Sequence, residues 1–386
     1  MRIVLNLLPL KSGGGVQVAL DFLACLAGRP DTHEWHAVAR IGMPFFEPQF
    51  RAGLKSLTGV PDTVSARIAF DLRGGARLAA RLGAEVVFTL FGPHWSGLHC
   101  PAVGGCAYSN LLYPEIDFWA DLPLQQRVIR HIKDRYRLRG LEVADGTIFE
   151  TEDLAARAVQ LLGLPAGRVT CIKPKASVLV SPTAVHLPTA RLLEGLPKRF
   201  HVLALSSYHP NKRLQIIPEV LRVLRDRGET GVGFITTLPE SAGAAAIFKQ
   251  AERYGVRELI FNVGPVVPEG CVELYRRSQA VLLASRLESF SNTIAEAWVH
   301  GVPLLASDLN WARGICGEGA GYFRFDDAED LAQRIVALRD VLERGRQLVE
   351  AGRKILATYP DSAARHRQIV EFLEGIVALS APAGAL

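Results

Sequence analysis

An α/β chain of two domains, each built on an open parallel sheet, is the architecture this sequence predicts. Two observations carry the prediction. Short apolar runs rich in Val, Ile and Leu recur along the chain, each followed by a loop and an amphipathic stretch. That is the rhythm of β-α-β units whose strands are buried on both faces. The length, 386 residues of which 49% are hydrophobic and 22% charged, gives about two domains at roughly 100–200 residues each and excludes disordered, fibrous and disulfide-stapled classes.

In the first half, strands are expected at 3–7, 35–39, 85–90, 102–107, 146–149 and 169–172. In the second they are expected at 201–205, 232–236, 259–263, 280–284 and 303–306. Amphipathic helices are expected between them, among them 16–26, 154–162, 219–226, 244–254 and 293–299. Long helices follow at 330–359 and, after Tyr359-Pro360, at 361–377. The segment 174–198 holds four prolines (174, 182, 188 and 197) and no sustained period, which marks an interdomain connection. Domains are therefore expected at 1–180 and 181–360. Residues 381–386 are expected to fray.

The net charge of +5 is too small for a dedicated nucleic-acid binder but suits a surface that meets anionic lipids or phosphorylated substrates. Six cysteines, at 25, 100, 106, 171, 271 and 316, show no Cys-x-x-Cys pair and no zinc-ligand spacing, so a reducing, cytoplasmic compartment is expected. The apolar start is short and broken by Asn6 and Pro9, and reads as a buried strand, not a signal peptide. No run approaches the length of a membrane span.

Four places carry chemistry. Ser12-Gly13-Gly14-Gly15 lies between the first strand and the first helix. There, missing Cβ atoms let a ligand approach the backbone and the helix offers free amides to an anion; an ordinary glycine-rich turn is the alternative. The run fits neither the dinucleotide fingerprint nor the P-loop. The loop 206–213, with Ser207, Lys212 and Arg213, follows the strand that opens the second half. Its paired cations suit a departing diphosphate, although such a pair is commonly just solvated. The third place is 285–307, where Glu288 stands in a loop and Glu296 one turn into a helix, seven residues between them. Carboxylates suit sugar hydroxyls. Thr293 to Glu296 also fits a capping box, in which Glu296 would only close the first turn, and Glu288 could be a surface residue. The fourth place is the basic helix holding Arg127, Arg130, Lys133, Arg135, Arg137 and Arg139 against Asp134, with Ile129, Ile132, Tyr136 and Leu138 interleaved. It suits an anionic membrane, or is a solvated face.

The stretch 259–307 resembles the donor-site region of retaining glycosyltransferases of family 4, which have the GT-B architecture of two facing Rossmann-like domains with an interdomain cleft. Their signature of Glu-x7-Glu, then Gly-x-Pro and a Ser, is matched by Glu288, Glu296, Gly301, Pro303 and Ser307. Val263 to Val266, Leu274-Tyr275 and 280–285 agree with it. Gly14-Gly15 resembles the family's N-terminal glycine loop, 144–152 the end of its N-domain, and Lys212 its phosphate-binding lysine.

The resemblance implies transfer of a sugar from a nucleoside-diphosphate donor with retention, by front-face attack in which a leaving phosphate oxygen takes the acceptor's proton. No metal and no other cofactor are implied, and no Asp-x-Asp occurs in the chain. Lys212 would neutralise the diphosphate, Glu288 bind donor-sugar hydroxyls and Glu296 the ribose, with backbone amides of Phe290, Ser291 and Asn292 at phosphates or sugar. The acceptor, a glycan or lipid-linked molecule of bacterial envelope polysaccharide assembly, would be held by the first domain, at the inner face of the membrane. The helix after Pro360 would cross back onto that domain.

The sequence departs from the family at three points. Ser206-Ser207 replace a Gly-Arg pair, leaving Arg213 to compensate. The N-domain histidine is missing: Ser109-Asn110 stand near its place, with Asn110 a candidate sugar or acceptor contact, and His94 is either a substitute or a packed loop residue. The family's Asn-Gly-Val before the linker is here 174–177. Rival readings are a sugar-nucleotide epimerase or a phosphorylase on the same fold, and a catalytically idle partner in glycan assembly.

Overall fold

The structure, a computed structural model, describes residues 1–11, 13–28, 32–174, 176–177 and 179–380. Ser12 of the glycine-rich run, Lys175 of the linker and the segment 381–386 lie outside the described residues. The chain forms two units. The first comprises Met1–Pro114, Pro123–Pro174 and Pro360–Leu386, and the second Glu115–Leu122 and Lys175–Tyr359. The short segment from 115 to 122 thus packs with the second unit although both of its flanks belong to the first.

Among the described residues, the first unit holds one seven-stranded sheet. Its strands are β1 (Arg2–Asn6), β2 (Glu34–Arg40), β3 (Ser56–Val60), β4 (Val86–Thr89), β5 (Ala102–Cys106), β6 (Gly146–Phe149) and β7 (Val169–Cys171). They run parallel in the order β3-β2-β1-β4-β5-β6-β7. Val4, Val38 and Val87 pack on one face against Leu78 and Trp95. The first helix, Gly14–Ala27, buries Val18, Phe22 and Leu23, and Phe22 meets His366 of the C-terminal helix Ser362–Ser380 at 5.2 Å between rings. Gly146 admits this last helix to β6, because a Cβ there would lie 2.9 Å from Ile376.

The second unit holds six parallel strands: β8 (Phe200–Ala204), β9 (Val232–Thr236), β10 (Ile260–Asn262), β11 (Ala280–Leu283), β12 (Leu304–Ser307) and β13 (Ala320–Phe323). Their order is β10-β9-β8-β11-β12-β13. Val202, Phe234 and Leu282 from the sheet meet Val220, Leu224, Ile247 and Ile335 from the helices in one core.

Sequence periodicity misses β3 and β13, both edge strands. An edge needs less apolar surface, and β3 reads Ser-Leu-Thr-Gly-Val with only Val60 buried. The helix expected over 330–359 is two, Ala328–Asp340 and Leu342–Ala357, broken at Val341 with φ −122° and ψ 83°. The buried positions Leu331, Ile335 and Leu338 and then Gly345, Val349, Gly352 and Leu356 keep helical spacing across the break, so hydrophobic phase does not reveal it.

Candidate functional site

The second sheet reverses its strand order between β8 and β11, which pair in parallel with Val202 opposite Ala280 and Leu203 opposite Val281. Open parallel sheets take ligands at the carboxyl ends of the strands where such a reversal occurs. The loops leaving β8 and β11 there carry Lys212 and Glu288.

A buried asparagine joins those loops. Asn211 lies in the turn Pro210–Lys212, where its backbone N–H donates to Nδ1 of the capping His209 at 3.1 Å. Its side-chain Nδ2 donates to the Leu287 carbonyl at 2.8 Å, and its Oδ1 accepts the Leu287 N–H at 3.1 Å. Its own carbonyl accepts the Arg286 N–H at 2.8 Å. With the backbones fixed this way, Lys212 Nζ donates to Glu288 Oε1 at 2.6 Å. The two side chains keep 27% and 12% of their surface exposed, so the pair is partly accessible to solvent.

Glu296 lies on the helix Asn292–His300, whose N-cap is Ser291. Thr293 is therefore inside the helix, and the capping box expected from Thr293 to Glu296 does not form at the cap. Glu296 is instead buried, its Oε2 accepting the Tyr275 hydroxyl at 2.7 Å. Burial, and then the charge of Glu296, holds the Tyr275 phenol well above the usual tyrosine range. Tyr275 in turn stacks on His300 at 4.7 Å. Ser289, Phe290 and Ser291 are buried and Asn292 is half-buried. Phe290 packs toward Tyr359 at 6.2 Å, and the Ser207 carbonyl accepts the Ser206 hydroxyl at 2.8 Å.

Arg213 is already engaged by neighbours. Its backbone is left-handed, at φ 51°, and its guanidinium is ion-paired with Asp326 and with Asp121, the latter at 3.3 Å. Two carboxylates therefore already meet the charge expected to serve as a second phosphate cation.

In the first unit the sheet reverses between β1 and β4, and the glycine run follows β1. Gly13 is the N-cap at φ 72°, while Gly14 and Gly15 already belong to the first turn of the helix, where backbone amides have no partner within the helix. A Cβ at Gly15 would come within 3.1 Å of Leu10. His94 lines a cavity of about 400 Å³ with Cys100, Ala102, Tyr136, Arg139 and Asp145. Ala102 and Asp145 stand where β5 and β6 begin, so the cavity adjoins the amino ends of those strands. Burial lowers the His94 pKa, favouring neutral imidazole. Asn110 donates through Nδ2 to the buried Asp134 at 2.8 Å, so its amide serves the basic helix, Leu124–Glu142.

Sequence reasoning misses Asn211, Asp121, Arg286 and Tyr275 as site residues. A lone Asn, Asp or Arg gives no periodic signal, and only the position of Asn211 beside Lys212 hinted at its place. Among the described residues no group of three or more His, Cys, Asp and Glu side chains is gathered for a metal ion, and no helix is long and apolar enough to cross a membrane.

Residues 199–340 match the family model described as Glycosyl transferases group 1. The D-inositol 3-phosphate glycosyltransferase of Nocardia farcinica is 28% identical over 214 residues, 52% of this chain and 47% of that protein. This chain spans about half the length of the curated relatives it matches. Sucrose-phosphate synthase from Thermosynechococcus elongatus shares the fold at a TM-score of 0.74 and 16% identity, over 98% of this chain and 100% of that one. Anabaena Alr3699/HepE, solved in complex with UDP-glucose, does so at 0.72 and 15%, over 97% and 99%. The two parallel α/β sheets are those of the GT-B fold.

Proposed function

We propose that this chain is a retaining glycosyltransferase that moves a sugar from a nucleoside-diphosphate donor to a glycan or lipid-linked acceptor without a metal. The observation that carries the proposal is the contact between Lys212 and Glu288, built at the strand-order reversal of the second sheet. A cation beside a carboxylate offers one group for a diphosphate and one for sugar hydroxyls. As the glycosidic bond breaks, negative charge develops on the leaving diphosphate, and Lys212 is the cation at hand to stabilise it. The acceptor's proton passes to a leaving phosphate oxygen, so the reaction asks no protein group to act as base. The match of 199–340 to glycosyl transferases group 1 and the UDP-glucose complex of a protein of like fold support the donor class.

The test is binding and turnover of UDP-, GDP- and ADP-sugars. A bound donor at 100 times its dissociation constant stabilises by about 2.7 kcal/mol, read as a thermal shift. Transfer that keeps the anomeric configuration and persists in chelator supports the full reading. Release of free sugar that persists, without acceptor product, when acceptors are supplied favours an epimerase.

A membrane-bound acceptor suits the helix Leu124–Glu142. It exposes Leu124, Val128, Ile129, Ile132 and Tyr136 beside its cations, while Arg137 turns inward over Tyr108 at 4.3 Å and pairs with Asp134. Sedimentation with phosphatidylcholine vesicles, with and without phosphatidylglycerol, tests this. Binding that requires the anionic lipid and disappears in Lys133→Glu/Arg135→Glu supports it, since each cation near the surface contributes about 1 kcal/mol.

A further inference from the structure

The strap from Glu115 to Leu122 lies against the two loops of the candidate site. Its aromatic part faces the turn that carries Lys212: Phe118 meets Trp119 edge-on at 4.6 Å, and both rings lie near His209, at 5.9 and 6.3 Å. Its acidic part holds two arginines. One oxygen of Asp121 pairs with Arg213 at 3.3 Å and the other with Arg286 at 2.9 Å, and Arg286 also donates to the Asp117 carbonyl at 2.9 Å. Arg213 directly follows Lys212, and Arg286 stands two residues before Glu288. A single carboxylate thus serves both loops.

The backbone singles out the same cluster. Among the described residues, Arg213 and Asp326 are the non-glycine residues with left-handed φ, at 51° and 63°, and they are ion-paired with each other. Such conformations persist where surroundings over-determine them, and they gather at functional sites. A glycine would make the turn at 213 without strain, so the arginine there does something the turn does not require.

The geometry points to Asp121 as a positioning residue for the Lys212–Glu288 pair: through Arg213 and Arg286 it ties the loop of one to the loop of the other. The kinetic consequence rests on the reading of that pair as the donor centre, whereas the tie between the loops stands apart from it.

Hydrogen exchange of the full chain without ligand tests the tie. In Asp121→Asn, amides of 206–213 and 284–288 exchange about tenfold faster than in the parent, with the strands unchanged. Arg213→Gly, which satisfies the turn, shows the same acceleration, and the double variant adds nothing to either single one. Should Asp121→Asn fail to fold, Arg286→Lys takes its place in the cycle. Exchange within about twofold of the parent in Arg213→Gly, or full additivity in the double variant, overturns the inference. In turnover, Asp121→Asn lowers kcat about tenfold with little change in donor KM, as expected when a group acting in the transition state is displaced. An unchanged kcat beside accelerated exchange overturns the positioning role. A parent protein that binds no nucleotide sugar overturns the donor reading, while the exchange result still judges the tie.

Discussion

Lys212 and Glu288 meet at 2.6 Å across 76 positions of sequence. The contact follows from topology, because β8 and β11 are neighbours where the strand order reverses and each strand ends in the loop that carries one of the two. Half-burial keeps the pair less screened than a surface salt bridge while leaving it open to a ligand. Removing either partner would leave the other poorly compensated.

Asn211→Ala removes both side-chain bonds to Leu287 and leaves that residue's buried N–H and C=O unmatched. The expected cost is about 2–4 kcal/mol in urea denaturation of the second unit, with turnover lower because the two loops are no longer joined. A stability change under about 0.5 kcal/mol would show that the bonds are replaced by solvent.

Two glycines should respond with opposite sign. A Cβ at Gly352 would overlap the indole of Trp298, whose Nε1 donates to the Gly319 carbonyl at 2.8 Å, so Gly352→Ala should destabilise by about 1–3 kcal/mol. Gly375, within the helix Ser362–Ser380, has nothing within 4 Å of an added Cβ. Gly375→Ala should stabilise by about 0.5–1 kcal/mol through helix propensity. Melting curves of the two variants check the pair.

Alkaline pH should weaken the fold. Burial pushes the Cys106 and Cys271 thiols up to about 12, from 9.0, and holds Tyr275 above its usual range. Well below pH 9 these thiols are neutral in both states and the linkage costs nothing. Above it the unfolded chain ionises first, binds fewer protons than the native one, and stability falls as pH rises toward 12. The urea midpoint should drop between pH 8 and pH 10, and Cys106 should resist thiol reagents until the chain unfolds. A flat or rising midpoint contradicts the assignment.

Much of this was legible in the sequence, for physical reasons. Interior strands such as β4, β9 and β11 need apolar side chains on both faces and so announce themselves as runs, whereas β3 needs few and stayed hidden. Lys212 and Glu288 are assigned to one site by the family resemblance, each standing in a loop after such a run. Their fastening could not be foreseen, because Asn211 to Leu287 and Asp121 to both arginines are contacts between loops without period. Glu296 illustrates the limit of local spacing. Four residues that fit a capping box lie inside a helix capped by Ser291, and the carboxylate faces Tyr275. The glycine run shows the same limit, since only the backbone reveals that Gly13 takes the left-handed turn while Gly14 and Gly15 start the helix.

The most direct measurement is sugar transfer or donor hydrolysis by Lys212→Ala and Glu288→Ala beside the parent, with folding checked by circular dichroism. If this pair is the donor centre, each variant loses about 100–1,000-fold in kcat, the scale of removing one preorganised electrostatic group, and the double variant loses much less than the product of the two. Folded variants that turn over donor at the parental rate would contradict it.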